Sequence, residues 1–223
     1  MGNFFEFVRT NWWHVSPIIA AGAFAAVIII ERSRALLKYY PMQNSEVFFS
    51  RVSDLVLTGK IAEAVAICDR FEGKPAAEVT KQALLRAHQP ENLIESGLGI
   101  VVGKATEAIQ GRTSFLATIA NVATLLGLFG TIAGLIHSFG AVGYADPQQK
   151  SALLAAGIST AMNATMMGLG VAIPSMVAFS FLINRSNKIV AEVDRAAMRA
   201  LDLLKQRFYI LENETVSVLE RGV

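Results

Sequence analysis

Charge is scarce in this chain: Asp, Glu, Lys and Arg make up 17% of 223 residues, where a soluble domain carries roughly a quarter. The deficit is local. No charged residue occurs between 115 and 142 or between 151 and 183. Cysteine is limited to Cys68, which excludes an internal disulfide; flanked by Ile67, Asp69 and Arg70, it has no metal-ligand spacing. The net charge of +2 is too small to mark a nucleic-acid binder. Strand-type alternation, low-complexity tracts and internal repeats are missing too. What remains is 53% hydrophobic with a mean hydropathy of +0.44, the composition of a membrane protein rather than a soluble enzyme.

Three apolar runs, at 12–30, 115–142 and 151–183, reach the length a membrane helix needs. The third exceeds roughly 20 residues and is expected to continue into water. The first is too long for the apolar core of a signal peptide, only Arg9 precedes it, and Arg32, Arg34 and Lys38 follow it. It reads as a retained span. Lys and Arg are dense in 31–114 and after 183, whereas Lys150 is alone between the second and third runs. The excess of cations on the cytoplasmic side therefore predicts an N-terminus outside and a C-terminus inside.

These observations predict an all-α membrane protein. Residues 1–11 form a periplasmic N-terminus, 12–30 the first transmembrane helix and 31–112 a cytoplasmic helical region. Residues 113–142 form the second span, 143–150 a periplasmic hairpin, 151–183 the third span and 184–223 a cytoplasmic C-terminal helix. Within the cytoplasmic region, apolar residues at helical spacing begin at Ser45, break at Gly59, resume from Ile61 to Phe71, and run again from Ala76 to His88 before Pro90. From Pro90 onward no strong breaker occurs before the second span, so one long helix is expected there. Ile189, Val193, Ala196, Ala200 and Leu204 line a stripe that carries the last helix beyond the membrane. Gly140, Gly143, Asp146 and Pro147 make the external connection a tight hairpin, so the second and third spans should be antiparallel neighbours.

Several motifs resolve into structure rather than chemistry. The stretch from Gly97 to Lys104 suggests a phosphate loop, but Leu98 holds a required glycine position, Ala105 replaces the magnesium-binding hydroxyl, and no strand precedes it. Nucleotide binding is not expected. Asn163-Ala164-Thr165 and Asn213-Glu214-Thr215 match the glycosylation pattern, yet one lies in a span and the other on the cytoplasmic side. His137 near the outer end of span two reads as an interfacial hydrogen-bonding residue. Gly127, Gly130 and Gly134 in span two let helix backbones approach closely. Pro174 removes one backbone hydrogen bond inside span three and should bend it.

The spans replace charge with hydroxyls and amides. Thr124 and Thr131 are seven residues apart and share a helix face near Asn121; Thr160 and Asn163 are neighbours on the next span, with Ser159 one turn from Asn163 and Thr165 roughly on the same side. A lone membrane threonine often bonds its own i−4 carbonyl and means little. A set of this size on adjacent spans points to a lined interface, because a bilayer core gives polar groups no water.

Two stretches carry a family resemblance. Leu116-Ala117-Thr118-Ile119-Ala120 leading to Gly127-Leu128-Phe129-Gly130-Thr131-Ile132-Ala133-Gly134 resembles the second span of the ExbB/TolQ/MotA family. Gly157-Ile158-Ser159-Thr160-Ala161-Met162-Asn163-Ala164-Thr165, continuing to Ala172-Ile173-Pro174, resembles its third. The number of spans and the large first cytoplasmic loop fit the ExbB/TolQ branch. The resemblance implies a homopentamer around a central pore, enclosing two copies of a single-span partner of the ExbD, TolR or MotB kind that carries a transmembrane Asp. It implies a bacterial inner-membrane location, with ion flow driving work at the cell envelope; no cofactor, metal or enzymatic activity is expected, because the spans contain no His/Glu metal motif, no Asp pair and no Ser with an evident buried base. Carried over by motif, Thr131 and Thr165 match the family's pore-facing threonines. Thr160 stands where ExbB and TolQ commonly have a glutamate, so the titrating carboxylate must come from the partner. Transport, envelope maintenance and gliding-type motility remain open as the energised process. Sodium in place of protons and a non-conducting scaffold are the alternatives.

Overall fold

The computed structural model describes residues 12–42 and 44–221. The expectations for 1–11, including the role of Arg9, lie outside the described residues. Among these, the chain is helical throughout: α1 (Trp12–Arg34), a π-helical turn (Ala35–Tyr39), α2 (Ser45–Leu57), α3 (Ile61–Asp69), α4 (Pro75–Leu85), α5 (Glu91–Gln110), α6 (Phe115–Gly143) and α7 (Lys150–Arg221). Three helical stretches are long and apolar enough to cross a membrane. No strand occurs among the described residues.

The fold divides into two compact units, one built from the residues up to Arg32 with Arg112–Ile183, the other from Ser33–Gly111 with the residues from Asn184 onward. In the first unit, α6 and α7 run antiparallel. A Cβ placed on Gly127, Gly130 or Gly134 would contact Gly168, Ala164 or Ala161 respectively, so partner numbers fall on α7 as they rise on α6. The helix α1 runs parallel to α7, with Val15 packed on Ala164 and Gly22 against Val171. Side chains at the α6–α7 crossing are Gly and Ala because the backbones themselves are in contact.

The second unit is built from amphipathic helices. Gly59 and Gly73 have φ of +81° and +80°, a left-handed conformation costly to residues with a Cβ, and they end α2 and the turn after α3. Pro75 opens α4 at the one helical turn that does not need its N–H. Phe48, Val52, Val56, Val79, Leu84, Ile94, Leu98, Ile109, Ile189, Val193 and Leu204 form the buried interior. Ser186 Oγ donates to the Ile109 carbonyl at 3.2 Å and Arg185 Nε to the Leu36 carbonyl at 3.3 Å, tying α7 to α5 and to the π-helical turn.

One sequence expectation is overturned. The helix that starts at Glu91 does not run into the second span; it ends at Gln110, and α6 begins anew at Phe115. Gly111 takes an extended ψ of 144°, and Arg112 turns left-handed with φ of +63°. A non-glycine residue in that region costs about 1–2 kcal/mol. The Arg112 guanidinium meets Glu31 at 2.7 Å, a contact that holds the turn against the end of α1. Charged residues stop and resume close to the unit borders, at Glu31, Arg112 and Arg185.

Candidate functional site

Close approach of α6 and α7 creates the site. A Cβ on Gly168 would sit 2.6 Å from the Ala123 carbonyl oxygen and 2.9 Å from Gly127 Cα; one on Gly127 would sit 3.2 Å from Thr165 Cα. With nothing but hydrogen at these positions, short side chains can reach from one helix to the backbone of the other. Thr131 does so. Its hydroxyl lies 3.1 Å from the Gly127 carbonyl of its own helix and 3.4 Å from the Ala161 carbonyl of α7. Thr165 returns the contact, with its hydroxyl 3.3 Å from the same Gly127 carbonyl. The two hydroxyls are hydrogen-bonded directly to each other.

The arrangement has more acceptors than protons. Each threonine has one O–H, while the Gly127 and Ala161 carbonyls and the neighbouring hydroxyl all compete to accept it. A hydroxyl pair of this kind can reverse its donor direction without moving a heavy atom. It stays neutral across the physiological range, and it can donate to or accept from a third group. Both threonines are half-buried, so a third group has access. Thr165 lines an open apolar groove of about 590 Å³ with Met162, Met166, Leu169, Ile173 and Pro174. No Asp, Glu, Lys or Arg lies on α6 or on α7 between 151 and 183.

The other sequence candidates take different places. Thr124 is exposed and bonds the Ala120 carbonyl at 2.9 Å; Thr160 bonds the Ala156 carbonyl at 3.0 Å. Both show the local i−4 habit of membrane threonines. Ser159 is exposed and Asn163 half-buried, and among the described residues no hydrogen bond joins either of them to the pair. Gly127 and Gly130 are buried and Gly134 half-buried at the α6–α7 crossing. Pro174 is exposed and lines the groove, and α7 continues through it. Among the described residues no group of three or more His, Cys, Asp or Glu is placed to hold a metal.

Sequence reasoning missed Ser138. It is 8% exposed, its hydroxyl bonds the Gly134 carbonyl at 2.8 Å, and it packs onto Gly157 so tightly that a Cβ there would overlap it. The signal was present: Gly130, Gly134 and Ser138 continue one four-residue repeat of small residues, and the serine is its last member. Ser175, 2% exposed and bonded to the Val171 carbonyl at 2.7 Å, was likewise unremarked.

Comparisons with known proteins converge on one family. Residues 70–195 match the model of the MotA/TolQ/ExbB proton channel family, a stretch that includes α6, the threonine pair and the groove. The Tol-Pal system protein TolQ of Haemophilus influenzae is 29% identical over 184 residues, covering 77% of this chain and 78% of TolQ. A putative biopolymer transport protein ExbB homolog of Methanothermobacter thermautotrophicus is 25% identical over 194 residues, covering 86% of this chain and 67% of the homolog. Among solved structures, that of C. jejuni MotAB aligns with a TM-score of 0.55 and 17% identity over 89% of this chain and 82% of that one, a likeness of fold.

Proposed function

Because this chain belongs to the MotA/TolQ/ExbB proton channel family, we propose that it is the inner-membrane stator subunit of a motor driven by ion-motive force. In this reading it conducts protons together with a single-span partner of the ExbD, TolR or MotB kind. Five copies of the chain surround two partner helices, with the N-terminus periplasmic and the C-terminus cytoplasmic. The distribution of Lys and Arg supports that orientation.

The observation that carries the proposal is the hydrogen-bonded hydroxyl pair of Thr131 and Thr165, half-buried where α6 meets the charge-free stretch of α7 between 151 and 183. A proton path through a bilayer needs groups that exchange protons, and the charge-free stretches of α6 and α7 supply no carboxylate. A partner aspartate completes the set. When protonated, its carboxyl donates to a threonine hydroxyl. When ionised, it accepts from one, and the pair reverses its donor direction to follow. Neutral hydroxyls suit this role because a fixed cation would hold the carboxylate in one state.

Thr131→Val and Thr165→Val remove each hydroxyl at nearly constant volume. Both variants are expected to assemble with the partner at normal yield yet lose ion flux and the work coupled to it. Full flux in both variants would sink the proposal. Replacing the partner aspartate by asparagine separates a conducting stator from a scaffold, since a scaffold would keep its output.

A further inference from the structure

The second unit holds a cavity that the ion path does not use. It has a volume of about 590 Å³ and lies among the chain after the π-helical turn, the start of α4 and the second half of α5. That size falls in the range of small-molecule sites, roughly 300–1,000 Å³. Its accessible apolar wall comes from Val101 and Ala105, both half-buried, and from Ile100, a large aliphatic side chain left 64% exposed.

Its polar lining is mostly of one sign. Lys74, Arg86 and Lys104 line the cavity with Glu78 as the only carboxylate. Lys74 Nζ donates to the Tyr39 carbonyl at 2.6 Å, and Arg86 donates to the Gln82 carbonyl at 3.0 Å and side-chain oxygen at 3.1 Å. Gly97 packs against the same guanidinium, where a Cβ would come within 2.8 Å of Nε. These acceptors are neutral, so they orient the two cations without cancelling their charge. Among the described residues none of the three cations is in a salt bridge, whereas Lys60, Lys81, Arg112, Arg199 and Lys205 all are. Glu78 accepts from Gln82 Nε2 at 3.0 Å. Cations held in place beside an apolar wall, and left unpaired by protein carboxylates, are a receptor for an external anion.

We infer that this cavity binds a small amphiphilic anion, with a phosphate or carboxylate head at Lys74, Arg86 and Lys104 and an apolar body against Ile100, Val101 and Ala105. Lys104 stands in the middle of α5, so it serves as a point charge and not as part of a phosphate-cradling loop. The inference is independent of the ion path.

The test uses the full chain in phosphatidylcholine nanodiscs and phenyl phosphate as probe, read by calorimetry. Phenyl phosphate is expected to bind roughly tenfold or more tightly than inorganic phosphate, which lacks the body, or benzyl alcohol, which lacks the charge. Lys104→Glu should weaken phenyl phosphate by about tenfold or more, and Ala105→Trp should fill the cavity and abolish binding. Lys104→Gln gives the same reading if the charge reversal fails to fold. Equal binding of benzyl alcohol and phenyl phosphate, or undiminished binding in both Lys104 variants, would overturn the inference. Competition then identifies the source of the head group. Displacement by dihexanoyl phosphatidylglycerol assigns it to a lipid, and failure of that lipid to displace the probe assigns it to a soluble phosphate ester.

Discussion

In the unit that holds the threonine pair, helices meet through Gly127, Gly130, Ala161, Ala164 and Gly168; in the other they meet through Phe48, Val52, Val56, Leu84, Ile94 and Leu98. The contrast follows from the solvent each unit faces. In water, burying a large aliphatic side chain gains about 1.5–3 kcal/mol, so a helix pair is held by bulk. In a bilayer, lipid is as apolar as leucine and that gain vanishes, leaving backbone proximity and hydrogen bonds as the attraction. The hydroxyl pair is a consequence of the second regime. Only helices that touch at glycine bring Thr131 and Thr165 within reach of each other and of the facing carbonyls. Many large residues of the first unit point outward, Leu125, Phe129, Ile136, Met162 and Val177 being more than half exposed, while Ile18, Leu116 and Leu182 are buried within it.

Gly168→Leu is the change expected to break this contrast most severely. It sets a leucine where even a Cβ meets backbone at 2.6 Å, with no flexible side chain to move aside. The cost should exceed the roughly 1–3 kcal/mol of ordinary overpacking. Loss of the monodisperse peak in size-exclusion chromatography in mild detergent is the expected result. Gly103→Ala is the counterpart in the second unit: nothing lies within 4 Å of its Cβ position in the middle of α5. It should raise stability by about 0.5–1 kcal/mol, the helix preference of alanine over glycine.

The interior of the second unit can be probed chemically through Cys68. This thiol is 3% exposed, and burial, with Asp69 alongside, pushes its pKa up to about 12 from 9.0. At pH 8 the thiolate should be scarcer than in the unfolded chain by a factor on the order of a hundred to a thousand. Maleimide labelling should therefore be negligible in the native protein and fast in denaturant. The folded state holds this proton more tightly than the unfolded one, so the associated stability is full below pH 9.0 and declines as pH rises toward 12. Rapid native labelling at pH 8 would show that the α3–α4 region opens readily.

Ile94→Ala samples the same interior through packing. Ile94 is 1% exposed at the start of α5, and its truncation should cost about 2–5 kcal/mol. Chemical denaturation followed by circular dichroism measures it. A loss under about 1 kcal/mol would mean that the second unit does not rely on bulk.

Much of this architecture is legible in the residues, and the failures have physical causes. Long charge-free runs identify the apolar helices because few other structures tolerate them, and Gly59 and Pro90 punctuate the short helices because backbone geometry demands it. The break at Gly111–Ser114 was not legible. Arg112 in a left-handed conformation is an unfavourable local choice, stabilised by Glu31 about eighty positions away, and local pattern has no access to such a partner. The site was legible in part for the same reason. The spacing of Thr124 and Thr131 indicates a shared face, but only the crossing geometry separates Thr131, which reaches α7, from Thr124, which bonds its own helix. Ser138 is missed because the small-residue repeat of span two is followed only through its glycines, Gly127, Gly130 and Gly134.

The smallest effects should come from the exposed ion pairs of the second unit, and two of them can be set against each other. Arg199 meets Glu46 at 3.0 Å and also lies over the Phe49 ring, 5.1 Å from its centroid. Lys205 meets Glu91 at 2.6 Å and, among the described residues, has no ring beneath it; the side chains of this pair remain 43% and 58% exposed. Glu91 holds the Lys205 ammonium above its ordinary pKa, but both groups stay in contact with water, which screens the attraction. Arg199→Ala loses the cation–π contact as well as the pair and should cost about 0.5–1 kcal/mol. Lys205→Ala should leave stability nearly unchanged, and what effect it has should vanish at high salt. Urea titrations of both variants at low and high ionic strength decide the matter. Equal costs that salt removes together would mean that Phe49 contributes nothing, whereas a residue of Arg199 stability surviving in salt belongs to the ring.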